Sequence, residues 1–247
     1  MDVVPAMTGE KLAGLLAEGV ELVQVEPGIF SVFGAEPRTN SYDTSFGTLY
    51  DRVACTPLYN RLVWGYGVER FRAVTAELLR RDQAGPLLDL GCGSLAFTAV
   101  TYARHAGRPV VLVDLSLSLL RMAKTKLIAL AGLLPANLLF LQADATALPF
   151  RDEVFDDILS LNLFHVVGDL APLLGGMARV AASGGDIRAT TLVLAGRLAD
   201  RYLAVWERAG ELVGREPRQL AEAFVAQGLP WRCVVEGNMA FIDSGKP

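Results

Sequence analysis

The stretch Leu87 to Leu95, LLDLGCGSL, carries two apolar residues into an acid, Asp89, and then sets Gly91 and Gly93 on either side of Cys92. A helix-compatible run from Ala96 to Arg104 follows. This reads as a buried strand, a glycine turn and a helix. Glycine lacks a Cβ, so a ligand can approach the backbone of such a turn closely. Working outward, Val110-Val-Leu-Val113 ends in Asp114, and Leu138-Leu-Phe-Leu-Gln142 is followed by Asp144. Each acid stands at the carboxyl end of a successive predicted strand, where open α/β sheets bind their ligands. Carboxylates there suit a nucleoside, which offers a ribose diol and an exocyclic amine as donors.

Strands and helices continue to alternate. Val154 to Leu161 reads as a fourth strand, Leu170 to Ala182 as a helix stopped by Gly184-Gly185, and Asp186 to Leu194 as a fifth strand. A long helical region over 197–227 precedes a closing pair, Trp231 to Val235 and Met239 to Ile242. The alternation argues for a parallel sheet covered by helices on both faces, with an antiparallel addition at the end. Residues 85–247 form this α/β unit. Residues 41–84 are rich in aromatics and contain a helix running to about Arg81, which marks them as a helical lid. Residues 1–40 read as an appendage: a short helix after Thr8, then a β-hairpin turning at Pro27-Gly28. Packing or dimerisation is the preferred role for it.

Composition narrows the function. The net charge of −4 gives no general attraction to polyphosphate, which disfavours a nucleic-acid partner. Cys55, Cys92 and Cys233 show no CxxC spacing, so neither a disulfide framework nor a metal site is expected, and a reducing cytoplasm fits. The N-terminus does not read as a signal peptide. Mean hydropathy is high at +0.34. Even so, the most apolar region, Leu127 to Leu141, is broken by Gly132, Pro135 and Asn137 and is too short to cross a bilayer. A greasy small-molecule substrate or a partner surface would account for some of that hydrophobicity.

The order of elements resembles the class I S-adenosylmethionine-dependent methyltransferases, and most nearly their small-molecule group that includes the UbiE-like quinone methyltransferases. The resemblance covers roughly residues 40–245 and rests on LLDLGCGS (87–94), VVLVDLSLSLLRMAKTK (110–126), LQADATALPFRDEVFDDILSLNLFHVV (141–167) and LAEAFVAQGL before the closing strands. It implies a Rossmann-like seven-stranded sheet, parallel with one antiparallel strand, flanked by helices. It also implies S-adenosyl-L-methionine as cofactor, S-adenosyl-L-homocysteine as product, and direct displacement at an O, C or N nucleophile of a small, apolar or aromatic acceptor. By the same resemblance, Gly91, Cys92 and Gly93 would lie against the methionine part and Asp89 would reach its amino group. Asp114 would accept the ribose hydroxyls and Leu115 would touch the adenine face. Asp144 would take the adenine amine and the Ala145 N–H a ring nitrogen. Asn162 to His165 would floor the site near the methyl, and Tyr42 or Tyr50 in the lid would face the sulfonium. One departure stands out: the usual third glycine is Leu95 here.

Each assignment has a plainer competitor. Asp89 or Asp114 could cap the helix that follows, and Ser116 beside Asp114 could do that job equally well. Asp144 could be a turn residue. Cys92 has no neighbouring base to activate it. Asp156 or Asp157 could cap a strand or face solvent. His165 is the sharpest catalytic candidate, since a neutral imidazole there could take a proton from the acceptor, yet it could equally hold its loop. Three other functions compete. A non-catalytic S-adenosylmethionine-binding or scaffold protein gains room from Leu95. A nicotinamide-dependent oxidoreductase is disfavoured because Ala96 breaks the last glycine of G-x-G-x-x-G. An RNA or protein methyltransferase is disfavoured by the acidic charge and by Asn162-Leu-Phe-His165 after the fourth strand.

Overall fold

Val- and Leu-rich runs at the middle of the chain make strands that are buried on both faces, and the rest of the molecule is arranged around them. The computed structural model describes residues 6–34, 60–81, 83, 85–105 and 107–245. In chain order the strands are β1 (Val23–Glu26), β2 (Ile29–Ser31), β3 (Leu87–Leu90), β4 (Val110–Asp114), β5 (Leu138–Gln142), β6 (Phe155–Leu161), β7 (Ala181–Leu192), β8 (Arg232–Glu236) and β9 (Met239–Asp243). They form one sheet ordered β1-β2-β5-β4-β3-β6-β7-β9-β8. Strands β2 to β7 run parallel, and β9 lies antiparallel to both of its neighbours, β7 and β8. The expected seven strands are present. The hairpin β1–β2 is not a detached appendage, however: β2 pairs in parallel with β5 and extends the sheet.

The described helices are α1 (Gly9–Leu15), α2 (Glu69–Arg80), α3 (Ala99–Arg104), α4 (Leu117–Ala131), α5 (Leu170–Val180), α6 (Asp200–Arg208) and α7 (Pro217–Ala226). Local chemistry sets their ends. Thr8 caps α1 and Ser116 caps α4, each accepting a backbone N–H from the first turn, and Gly132 closes α4 at φ 82°. The region 197–227 is not one helix. A loop separates α6 from α7, whose start is fixed by Pro217 and a capping box between Glu216 and Gln219. The helix before β7 is also shorter than the sequence suggests, ending at Val180, and β7 begins directly at Ala181.

Apolar side chains cover both faces of the sheet in two large clusters, one around Leu88, Val111, Leu141 and Phe155, the other around Leu87, Leu112, Leu120 and Phe140. Asp157, expected to cap a strand or face solvent, is fully buried at the amino end of β6. It meets the equally buried Arg108 and, at 3.1 Å, Arg81. Arg108 also donates to the Leu78 and Gly85 carbonyls, so this ion pair ties α2 and the β3 entry to the edge opposite the strand carboxyl ends.

Candidate active site

Between β3 and β6 the chain switches direction across the sheet, with β4 and β5 on one side and β7 on the other. Such a switch opens a crevice at the carboxyl ends of the strands. The turn after β3 lines it. The Gly91 and Cys92 amides donate to the Val113 carbonyl at 2.8 and 2.9 Å, which anchors the turn to β4. Gly91 and Gly93 hold φ 73° and 54°. A Cβ on Gly91 would press on Leu163 at 3.0 Å, whereas one on Gly93 would meet nothing within 4 Å. Gly91 is thus needed for packing and Gly93 faces open space. Leu95, at the third glycine position, keeps a left-handed φ of 53° and is itself buried. The backbone geometry survives there without glycine, at a strain of about 1–2 kcal/mol.

Three acids occupy adjacent strand ends. Asp89, 2% exposed, accepts from the Tyr102 hydroxyl at 2.7 Å through Oδ2, while its buried Oδ1 has no partner. Burial pushes its carboxyl up to about 7; the Tyr102 hydrogen bond opposes that shift and the Asp114 charge adds to it. The Asp114 carboxylate bridges two turns, accepting Gly93 N–H at 2.8 Å and Ser116 N–H at 2.9 Å. Ser116, not Asp114, is the side-chain cap of α4, with Oγ accepting the Leu119 N–H. Leu115 lies between them, half-buried. Asp144 Oδ1 accepts from both the backbone and the hydroxyl of Thr146, a turn that leaves Asp144 and Ala145 half-buried. Cys92 keeps its proton, because burial and the Asp114 and Asp89 charges all push its thiol up.

Asn162 follows β6 with φ 61° and, like Asp89, carries a buried oxygen, Oδ1, without a donor. These two orphaned acceptors belong to the two strands that flank the switch. A ligand bearing an ammonium or amide donor satisfies such atoms, so the residues present fit a cationic amino-acid group. His165 lies in a short 3-10 turn, Phe164–Val166, and is 5% exposed. Its Nδ1 lies 3.2 Å from Thr191 Oγ1 and accepts the Leu192 N–H at 3.4 Å. Burial, reinforced by the Arg215 charge, lowers its pKa to about 4, so the ring is neutral at physiological pH. Tyr42 and Tyr50 lie outside the described residues.

Several contributors were not singled out from the sequence. Tyr102 pairs with Asp89, Arg215 holds the Phe164, Val167 and Gly168 carbonyls around His165, and Gln142 bonds Leu115. No spacing in the sequence marks them, because each acts on a residue distant in the chain. On the β7 side, Trp64, Tyr66, Phe71, Met239 and Phe241 form an apolar cluster against Leu192, with Phe97 and Leu161 packed on it. The Asn238 backbone N–H donates to the Trp64 carbonyl at 2.8 Å and so ties the segment around Trp64 to the β8–β9 turn.

Residues 88–189 match the family described as methyltransferase domain. Demethylmenaquinone methyltransferase of Thermus thermophilus is 34% identical over 131 residues, which cover 53% of this chain and 57% of the relative. Malonyl-[acyl-carrier protein] O-methyltransferase of Pseudescherichia vulneris is 33% identical over 147 residues, covering 59% and 53%. The chain thus spans little more than half the length of these relatives. Among solved structures, the [4+2]-cyclase SpnF superposes with a TM-score of 0.63 at 19% identity, covering 86% of this chain and 99% of that one. The fold is the Rossmann-like methyltransferase fold. A cyclase among its neighbours illustrates that fold alone does not fix the reaction.

Proposed function

We propose that this chain, whose residues 88–189 match the methyltransferase domain family, transfers a methyl group from S-adenosylmethionine to a small-molecule acceptor. The observation that carries the reading is the row of Asp89, Asp114 and Asp144 at the ends of adjacent strands, beside a Gly93 whose side-chain direction is empty. Asp114 and Asp144 would hold the ribose diol and the adenine amine, with Leu115 and Ala145 against the base. Asp89 and Asn162 would receive the amino-acid end in their unsatisfied oxygens. When bound, the cofactor supplies an activated methyl group that a nucleophile displaces directly. The chain's own contribution is alignment and exclusion of water, which can account for much of the barrier reduction in a two-reactant transfer.

The acceptor is apolar or aromatic on this reading. Its support is the cluster of Trp64, Phe97, Leu161 and Met239 at the same end of the sheet. The two relatives are named for different acceptors, a demethylmenaquinone and an acyl-carrier-bound malonyl group, so the acceptor's identity follows from this chain's own walls. His165 would position its loop: a base whose conjugate acid sits at about 4 draws a proton weakly at neutral pH. That same observation favours a second reading, a protein that binds S-adenosylmethionine and transfers nothing. The free Cys92 thiol is compatible with action in the cytoplasm.

Calorimetry with S-adenosylmethionine, S-adenosylhomocysteine and NADH tests the binding, with heat expected from the first two only. Incubation of tritiated-methyl cofactor with a small-molecule extract separates the two readings. Label moving into the organic phase supports transfer, while binding without label movement supports the second reading. Heat from NADH alone would overturn both.

A further inference from the structure

The hairpin β1–β2 ends in Ser31, which is buried and stands in register with Gln142, the last residue of β5; Gln142 in turn stands in register with Asp114, the last residue of β4. The Gln142 side chain is fully buried between its neighbours. Its Nε2 donates to the Leu115 carbonyl at 3.0 Å and its Oε1 accepts the Ser31 hydroxyl at 3.1 Å. The direction of every bond is determined. A carbonyl can only accept, so the Gln142 amide nitrogen faces Leu115 and its oxygen faces Ser31. The Ser31 hydroxyl must then donate, and its lone pair accepts the Phe33 N–H at 3.1 Å.

The carbonyl of Leu115 and the N–H of Ser116 belong to one planar peptide group. Gln142 holds the oxygen of that group, and Asp114 Oδ1 holds its hydrogen. The other carboxylate oxygen of Asp114 holds Gly93. A continuous set of hydrogen bonds therefore runs from the N-terminal hairpin to the glycine turn, through Ser31, Gln142, the 115–116 peptide and Asp114. Rotation of that peptide would release Ser116 and free the Asp114 carboxylate to turn away from the crevice.

We infer that Gln142 and Ser31 are positioning residues: the N-terminal hairpin fixes the orientation of the Asp114 carboxylate and thereby sets affinity for the adenosine end of the cofactor. The inference rests on the methyl-transfer reading for the identity of the ligand, and on the relay geometry for everything else. It gives the β1–β2 hairpin a role in binding.

Ser31→Thr and Ser31→Val form the test pair, since the two side chains share a shape and differ in the hydroxyl. Titration calorimetry with S-adenosylhomocysteine should give Ser31→Val at least threefold weaker binding than Ser31→Thr, and Gln142→Met tenfold weaker than wild type. Exchange of the Ser116 amide, read by hydrogen–deuterium NMR, should accelerate in Ser31→Val and Gln142→Met but not in Ser31→Thr. A merely structural role would lower the melting temperatures of the Ser31 pair alike and leave their affinities and exchange equal, and that result overturns the relay. If the Ser31 pair fails to fold, Gln142→Met alone decides: wild-type affinity and wild-type Ser116 exchange overturn the inference. Wild-type protein without heat from S-adenosylhomocysteine would refute the methyl-transfer reading instead, and Ser116 exchange would still decide the relay.

Discussion

Replacing Asp89 with Asn should stabilise the ligand-free protein at alkaline pH while impairing it as a cofactor binder. The carboxyl titrates at 3.8 when unperturbed and at about 7 in the folded chain. Burial is the main cause, since Oδ1 lies away from water with no donor. A folded pKa above the unfolded one means that the native state favours the proton. The stability this confers is complete below pH 3.8 and is lost progressively up to about pH 7. At roughly 1.4 kcal/mol per unit, the preference for the protonated form lowers native stability, relative to acid pH, by about 4 kcal/mol at pH 8 and by about 1–2 kcal/mol at pH 5, where the unfolded chain has released its proton and the native one has not. Asn at position 89 never ionises but places a buried amide donor where Oδ1 sits, a penalty of about 1–3 kcal/mol that does not depend on pH. Comparing the two pH values cancels that penalty. The difference in unfolding free energy between Asp89→Asn and wild type should therefore shift by about 2–3 kcal/mol in the variant's favour from pH 5 to pH 8. Urea denaturation at each pH, read by the midpoint at constant slope, measures it. Parallel pH profiles for the two proteins would refute the reasoning, because Asp89 would then carry no shifted proton. The same ionisation predicts that wild-type affinity for S-adenosylhomocysteine rises as pH passes through about 7, and that the rise disappears in Asp89→Asn.

Asp114→Ala should weaken S-adenosylhomocysteine binding by about 1–3 kcal/mol in calorimetry, since it frees the Gly93 and Ser116 amides and removes the ribose acceptor. Unchanged affinity would reduce Asp114 to a turn residue. Leu95→Gly restores the family's usual residue yet should destabilise by about 2–4 kcal/mol in denaturant titration. Relief of the left-handed strain is offset by glycine's chain entropy, which leaves the loss of a buried leucine side chain uncompensated. Arg108→Met should cost about 3–5 kcal/mol of stability by leaving Asp157 buried with a weaker partner, with wild-type cofactor affinity in whatever remains folded at low temperature. Gly237→Ala should lower the melting temperature and expose Trp64 to fluorescence quenchers, because a Cβ there, at φ 61°, would collide with the Trp64 carbonyl.

The order of strands and helices from β3 to β7 was legible because runs such as Val110-Val-Leu-Val113 have one economical place to go, the middle of a parallel sheet covered on both faces. The acids at the strand ends were legible for the same reason, since position along a strand fixes position at the edge. What escaped depends on contacts between distant residues. Nothing in Ile29-Phe-Ser31 announces pairing with Phe140 to Gln142, because a three-residue strand pairs wherever an edge is offered. Asp157 reads from sequence as a strand cap or a solvent-facing acid because its partners, Arg81 and Arg108, come from other elements. The break between α6 and α7 did have a local signal: Gly210, Gly214 and Pro217 interrupt the helical pattern, and Glu216 with Gln219 spells a cap. His165 could be placed near the crevice from sequence, whereas its burial under Arg215 and β7 could not.

The distribution of strain supports the location of the site independently of family likeness. Among the described residues, three non-glycine residues hold positive φ, and two of them, Leu95 and Asn162, stand on the turns that flank the β3–β6 switch. The orphaned oxygens of Asp89 and Asn162 lie on the same two strands or just beyond them. A fold selected only for stability would relax such positions, since each costs on the order of 1–3 kcal/mol. At the opposite edge, Asp157 is gripped by two arginines and by the Asp186 amide at 2.9 Å. Two orphaned acceptors, Asp89 Oδ1 and Asn162 Oδ1, beside two left-handed residues on the turns that flank one topological switch mark that crevice as a binding site. A cationic, donor-rich ligand would convert those costs into affinity, which ties the pH behaviour of Asp89 to the identity of what binds beside it.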